Sequence, residues 1–282
     1  MDNRVKVGIS VAIVIAVILT SMPTLELSFA GNSGSSEAKS NVIRIGYFPN
    51  LNHAQAVIGL GNGYFQRALG DDVEVKTQVF NAGPSAIEAL FANQVDVTYV
   101  GPNPAINGYM QSDGRALRII SGAASGGAVF VVRNDAGINS VEDLANKKFS
   151  SPQLGNTQDV ALRKYLLDNG LKPKENGGNV EILPAKNADI VTLMAKKDIH
   201  GAWVPEPWGA KLVKETNGRI FLDERDLWPD GQFVTAHIIA RTDYLERNPE
   251  IISKLLEAHV SITQWINENP DEAITLFNEE LQ

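Results

Sequence analysis

The chain contains no cysteine. Disulfides, thiolate metal sites, a cysteine nucleophile and lipid attachment to a cysteine behind an export signal are thereby excluded. Histidine is nearly as scarce: the four residues His53, His200, His237 and His259 are scattered without zinc-type spacing, and no H-E-x-x-H occurs. No metal or other cofactor is expected. There is no G-x-S-x-G elbow, and "GLGNGYF" has the spacing of neither a phosphate loop nor a dinucleotide fingerprint. With no catalytic constellation singled out, an enzyme is not expected. Positive charge is also in deficit, with 25 Lys and Arg against 33 Asp and Glu, a formal net charge of −8 and no basic block. Nucleic-acid binding relies on a basic surface to release counterions, so no nucleic-acid partner is expected.

What is present is a chain of 282 residues with the apolar and charged fractions of an ordinary globular protein, long enough for two packed lobes. Its start reads as a secretory signal over 1–30. Arg4 and Lys6 precede an apolar run from Val7 to Leu19, and small residues end at Ser28-Phe29-Ala30. The run is shorter than the roughly 20 residues of a spanning helix, which favours cleavage near Ala30 over a retained anchor, although Val5 to Met22 comes close. Work outside the cytoplasmic membrane is expected. Residues 31–41, "GNSGSSEAKSN", read as a flexible linker.

From "NVIRIGYF" onward, strand-like runs alternate with helical segments: "DVEVKTQVF", "VDVTYV", "LRIISGA", "AVFVVR", "NVEILP", "GRIFLD" and "FVTAHIIA". Such alternation predicts an α/β fold of mainly parallel sheets flanked by helices. The stretches "GAVFVVRND" and "GQFVTAHIIARTD" each follow a complete set of βα units, so they are the expected crossovers between lobes. Lobe 1 is accordingly assigned to 42–130, lobe 2 to 131–230, and the return to lobe 1 with C-terminal helices to 231–282. In the last of these, "EIISKLLEAHVSITQWINEN" carries apolar residues at Ile251, Leu255, Ala258 and Ile262 on one face.

The two halves echo one another. Laying "AIEALFANQVDVTYVGPNPAI" over "DIVTLMAKKDIHGAWVPEPWG" without a gap pairs Ile87 with Ile190, Leu90 with Leu193, Ala92 with Ala195, and Pro102 and Pro104 with Pro205 and Pro207. Each copy reads as helix, strand and a Pro-x-Pro turn whose second proline opens the next helix. Chance recurrence of βα units competes with this reading, but two coincident prolines favour related lobes. The turns would then lie at the carboxyl ends of strands, where open α/β sheets bind ligands.

Candidate binding residues follow from those turns. Asn50, Asn52 and His53 precede one helix. Gly83, Pro84 and Ser85 open another, and Asn156, Thr157 and Gln158 a third. Each turn offers free backbone N–H groups and a positive dipole end to an anion. Ser85 with Glu88 also reads as a capping box, which puts the weight on the backbone there. Gly101 precedes the first Pro-x-Pro turn and Asn103 is its middle residue. Glu206 is the candidate partner for an amine and Trp208 a stacking platform, whereas Trp203, which ends a strand, reads as core. Ser121 and Ser125 lie in a small-residue stretch that would suit close ligand approach, a hinge or a tight strand connection.

"IRIGYFPNLNHAQAVIGLGNGYF", "AGPSAIEALFANQVDVTYVGPNPAI", "SPQLGNTQDVALRKYL" and "WVPEPWGAKL" together resemble the nitrate/sulfonate/taurine (SsuA- and NMT1-like) family of ABC-transporter substrate-binding proteins, from about Val42 to the end. The resemblance implies a two-lobed, type II periplasmic-binding-protein fold acting as a monomer, with a small anionic solute between the lobes and delivery to a permease and its ATPase. Relatives take sulfonates, taurine, nitrate, bicarbonate or pyrimidine precursors, and an aliphatic sulfonate is the first expectation. Family members commonly continue through further C-terminal helices, whereas this chain stops about a turn into a helix starting near Asp271, which suggests truncation. Two other readings remain open: a pyrimidine-precursor binding or biosynthetic protein of the same fold, and a ligand-sensing ectodomain.

Overall fold

The computed structural model describes residues 41–281; the expected export signal, the expected linker up to residue 40 and Gln282 lie outside the described residues. Strand β1 (Val42–Tyr47) leads through a 3-10 turn, Leu51–His53, into helices α1 (Ala54–Gly61) and α2 (Tyr64–Leu69). There follow β2 (Glu74–Val79), α3 (Gly83–Phe91), β3 (Val97–Val100), α4 (Pro102–Gln111) and β4 (Leu117–Ser125). Next come β5 (Ala128–Arg133), β6 (Lys148–Ser151), α5 (Thr157–Asp168), β7 (Glu181–Pro184), α6 (Asn187–Ala195), β8 (Gly201–Pro205), α7 (Trp208–Glu215) and β9 (Gly218–Asp223). The chain finishes with β10 (Val234–Arg241), α8 (Thr242–Arg247), α9 (Pro249–Glu268) and α10 (Pro270–Glu280).

The strands form two five-stranded sheets, in the orders β2-β1-β3-β10-β4 and β7-β6-β8-β5-β9. In each sheet one strand, β10 or β5, arrives from the other sheet and pairs antiparallel with both neighbours, while the other four share a direction. The two orders are one connectivity used twice, and the internal echo is its trace. Helix α3, strand β3 and helix α4 stand in the first half where α6, β8 and α7 stand in the second, with Ile87 and Ile190 both buried. The passage from first sheet to second takes only Gly126 and Gly127, between Ser125 and Ala128.

Burial explains the strand patterns. All six residues of β5 and all four of β3 are buried, which fits continuous apolar runs covered on both faces. Trp203 is core, as expected; it stacks on Phe130 with centroids 5.3 Å apart and donates from Nε1 to Glu224 at 2.8 Å. Along α9 the buried stripe is Ile252, Leu255, Ala258, His259 and Ile262. Leu255, Ala258 and Ile262 lie there as expected, whereas Ile251 is only half-buried and Ile252 takes the buried place.

Two expectations about helix starts are corrected. Helix α3 begins at Gly83 with Ala82 as N-cap, so Ser85 is its third residue and no cap. In the Pro-x-Pro turns the second proline does not open the helix. Pro102 occupies the first position of α4, with Pro104 two residues further on, while Pro207, after a cis Glu206-Pro207 bond, is the N-cap of α7. All of these positions lie among those whose N–H has no acceptor within the helix, which is why proline is tolerated at each.

Candidate functional site

The carboxyl ends of strands from both sheets converge on one small polar pocket. The first sheet contributes Phe48, Asn50, Asn52 and His53 after β1, Asn81 after β2, Gly101 after β3 and Thr235 from β10. From the second come Pro152, Asn156, Thr157 and Gln158 after β6, Asn187 after β7 and Pro205 at the end of β8. The enclosed space is about 10 Å³, about one water. It is small because the two lobes touch around it.

Hydrogen bonds cross from lobe to lobe on every side. Asn81 Nδ2 donates to the Pro152 carbonyl at 3.2 Å, the Gly83 N–H to Asn156 Oδ1 at 3.5 Å, and Ser85 Oγ to Gln153 Oε1 at 3.2 Å. On the opposite lip the Leu51 N–H donates to the Glu206 carbonyl at 2.8 Å, and Trp208 Nε1 to Asn50 Oδ1 at 3.0 Å. A closed cleft is the arrangement these bonds describe.

The expected site residues divide. Asn52, His53, Gly101, Asn156, Thr157 and Gln158 line the pocket. Gly83 and Ser85 serve the closure contacts just described, and Pro84 and Asn103 sit half-buried in first turns of their helices without lining the pocket. Ser125 belongs to the crossing between the sheets, where its Oγ donates to Gln232 and accepts from the Phe233 N–H. Glu206 is also reassigned: its carboxylate accepts the Ala210 N–H at 2.9 Å and so caps α7, as an acidic group before a helix commonly does. Trp208 reaches across to Asn50 through its indole N–H, with Lys211 5.4 Å from its ring centroid. Phe48, Asn81, Pro152, Asn187, Pro205 and Thr235 were not foreseen as lining. The echo could have located Asn187, since the same offset places it opposite Pro84 at the mouth of α3.

The pocket has no charged side chain among its lining residues. His53 accepts the Phe48 N–H at Nδ1, 3.1 Å away, so the neutral ring carries its proton on Nε2. Burial, with His237 nearby, holds its pKa down to about 3, and burial holds His237 at about 4. Both rings are therefore neutral in the folded protein, and His53 is a neutral N–H donor. The unfolded chain takes up these protons near pH 6.5 and the fold does not, so stability present above that pH is lost as pH falls toward 4. Buried Glu224, raised to about 7 chiefly by desolvation, titrates in the opposite sense. The clean comparison is therefore between wild type and His53→Gln in chemical denaturation. Their stability-versus-pH slopes should differ by about one proton, or about 1.4 kcal/mol per pH unit, between pH 6 and 4; parallel curves would show that His53 is not held neutral.

At the heart of the site, α5 opens with Asn156 as N-cap, yet Asn156 makes no cap hydrogen bond. Its Nδ2 donates instead to Gln158 Oε1 at 2.7 Å. The first-turn N–H groups of α5 thus have no acceptor in the helix or in the cap, and the dipole end is open beside Thr157 and Gln158. Behind them Asp159 accepts from Ser151 Oγ, the Gly155 N–H and Arg163 Nε, each at 2.9 Å, and fixes the turn.

If Trp208 is a latch between lobes, Trp208→Phe removes one hydrogen bond from the closed form only. Solute affinity should fall about 5- to 10-fold, the worth of about 1 kcal/mol. The melting temperature without solute should stay within about 2 °C; a larger loss in calorimetry would make the indole a structural prop.

Two mixed sheets of one connectivity, joined by two crossings around a pocket at their strand ends, define the type II periplasmic-binding-protein fold. The alkanesulfonate-binding protein SsuA of Xanthomonas axonopodis pv. citri superimposes with a TM-score of 0.73 at 16% identity, over 86% of this chain and 80% of that one. The chain belongs to the NMT1-like family, whose model matches residues 36–277. The taurine-binding periplasmic protein of Escherichia coli (strain K12) is 25% identical over 216 residues, 77% of this chain and 64% of its own length. A binding protein of Brucella abortus (strain 2308) is 26% identical over 205 residues, 72% of this chain and 61% of its own. The chain thus spans about three fifths of the length of the curated relatives it matches.

Proposed function

We propose that this protein is the extracytoplasmic solute-binding component of an ABC importer, not an enzyme, and that it closes two lobes on a small solute with an anionic head of the sulfonate, taurine or nitrate type. The observation that carries the reading is the open N-terminus of α5 in a pocket built by both lobes. Free N–H groups and about half a positive charge at a helix start hold an anion without any cationic side chain. The neutral Nε2–H of His53 adds a further donor from the first lobe.

On this reading the first lobe is 42–125 with the return from β10 onward, and the second is 128–223, so the boundary expected at 130 moves to the Gly126-Gly127 crossing because all of β5 pairs within the second sheet. Opening turns about the Gly126-Gly127 crossing and the segment between β9 and β10. Thr235 Oγ1 donates to the Gly126 carbonyl at 2.6 Å, tying the two crossings together. The closing hydrogen bonds form between lobes only when the cleft shuts, so the closed surface is the form a membrane permease and its ATPase would distinguish. A thermal-shift screen against taurine, alkanesulfonates, nitrate, bicarbonate and pyrimidine precursors tests the reading. A ligand that binds only the fold must raise its melting point by mass action. An acidic solute that does so, less strongly with Thr157→Ala, supports the proposal; a shift only with uncharged heterocycles would sink the anionic class.

A further inference from the structure

Among the described residues, five buried side-chain polar atoms have no hydrogen-bond partner, and three of them belong to the pocket: Asn52 Oδ1, Thr157 Oγ1 and Asn187 Oδ1. Each of these residues is more than nine-tenths buried. Buried polar atoms are ordinarily paired, so three unpaired atoms gathered in one cavity mark a place where a polar guest is held. Their chemistry is specific. Asn52 is oriented by donation from Nδ2 to the Thr235 carbonyl at 3.4 Å, which leaves its oxygen, an acceptor, as the unsatisfied atom. Asn52 belongs to the lobe of the first sheet, Asn187 to that of the second.

We infer that the solute brings hydrogen-bond donors to both lobes, through an amino group that donates to Asn52 Oδ1 and Asn187 Oδ1 when the cleft closes. The inference rests on the solute-binding reading above and narrows it. A plain alkanesulfonate or an inorganic oxyanion offers acceptors alone; it would satisfy α5 and His53 and leave the two amide oxygens desolvated without a donor. A primary ammonium has three N–H groups, enough for both oxygens. Its charge then selects the class. No carboxylate lines the pocket, and that of Glu206 is engaged at the start of α7. A buried ammonium would be uncompensated unless the solute carries its own acid, so the solute is a short zwitterion: an amino group at one end and an acidic head, met by the open start of α5, at the other.

Matched pairs that differ only in the amino group test this by calorimetry on the purified chain: taurine with ethanesulfonate, β-alanine with propionate, and 2-aminoethylphosphonate with ethylphosphonate, with nitrate alongside. In whichever pair binds, the amino member should bind at least about 10-fold tighter. Asn52→Ala should bring that ratio toward one. Asn187→Ala should act in the same direction from the other lobe, which keeps the test usable if Asn52→Ala fails to fold. Equal binding of an amino-free member or of nitrate in the wild type would overturn the inference and leave the anion-binding function standing. If the folded protein binds none of these probes, the proposed function itself is overturned, and the inference with it.

Discussion

Replacing Gly101 by alanine is expected to weaken solute binding about 100-fold while the unliganded protein keeps its fold. A Cβ added at Gly101 would lie 2.1 Å from Thr157 Oγ1 and 3.2 Å from Thr157 Cβ, across the cleft from the first lobe to the second. Nothing else forbids it. The backbone there, φ −73° and ψ 162°, is an extended conformation open to any residue, so no strain arises within the first lobe. The clash exists only in the closed form and should cost about 3 kcal/mol of closure, the upper range for overpacking a well-packed contact. The cause can be isolated by a double-mutant cycle. Thr157→Ala alone should lose about 10-fold through its missing hydroxyl. In Gly101→Ala/Thr157→Ala the atom at 2.1 Å is gone, and affinity should return to near the level of Thr157→Ala alone, a non-additivity that contact between the two sites predicts. Additive losses would mean that Gly101 acts through its own lobe. Small-angle scattering with saturating solute supplies a second readout: the single variant should remain as extended as the unliganded wild type.

How much of this was legible beforehand depends on which interactions satisfy each segment. Strands such as "AVFVVR" announce themselves because burial on both faces demands continuous apolar side chains. Strand β6, "KFSS", escaped notice because its serines are buried as hydrogen-bonding groups. Ser150 Oγ donates to the Leu183 carbonyl and Ser151 Oγ to Asp159, and no periodicity encodes those partners. The site was legible as far as it depends on strand ends and helix starts, which brought out Asn52, His53, Gly101, Asn156, Thr157 and Gln158. It was not legible where the direction of a side chain decides. Glu206 and Trp208 have the residue types of an amine-binding lip, yet one turns back to cap α7 and the other reaches Asn50. Ser85 looked like a cap because Ser-x-x-Glu matches a capping box; the helix starts two residues earlier, where Gly83 packs against Pro104, as close as 2.2 Å to a Cβ built on it. Asn187 was missed although the internal echo pointed at its position, because the repeat preserves the place of the helix start and not the residue on it.

The other large effect lies one layer behind the pocket. Asp159→Ala should lower the melting temperature of the unliganded protein by about 10 °C, from a loss of about 3 kcal/mol. Asp159 is 1% exposed and holds three donors from three pieces of the second lobe: Ser151 at the end of β6, Gly155 in the connecting turn and Arg163 one turn along α5. Gly155 has φ +76°, a left-handed turn glycine adopts readily, and the carboxylate clamps the N–H of that turn. Truncation leaves a buried hydroxyl and a backbone N–H without an acceptor, and takes from Arg163 one of its two acidic partners, Glu175 being the other. Because the same turn aims the start of α5 into the pocket, binding should fall together with stability, in contrast to Gly101→Ala, where binding falls alone. Asp159→Asn is the informative intermediate, since its amide oxygen can still accept from the turn while the charge is lost. Scanning calorimetry should rank the three proteins wild type, Asn, Ala, and calorimetric binding should rank them the same way. A drop of less than about 3 °C for the alanine variant would mean that the turn is held by its backbone alone. In that event the positioning of α5 would have to be sought in the contacts across the cleft.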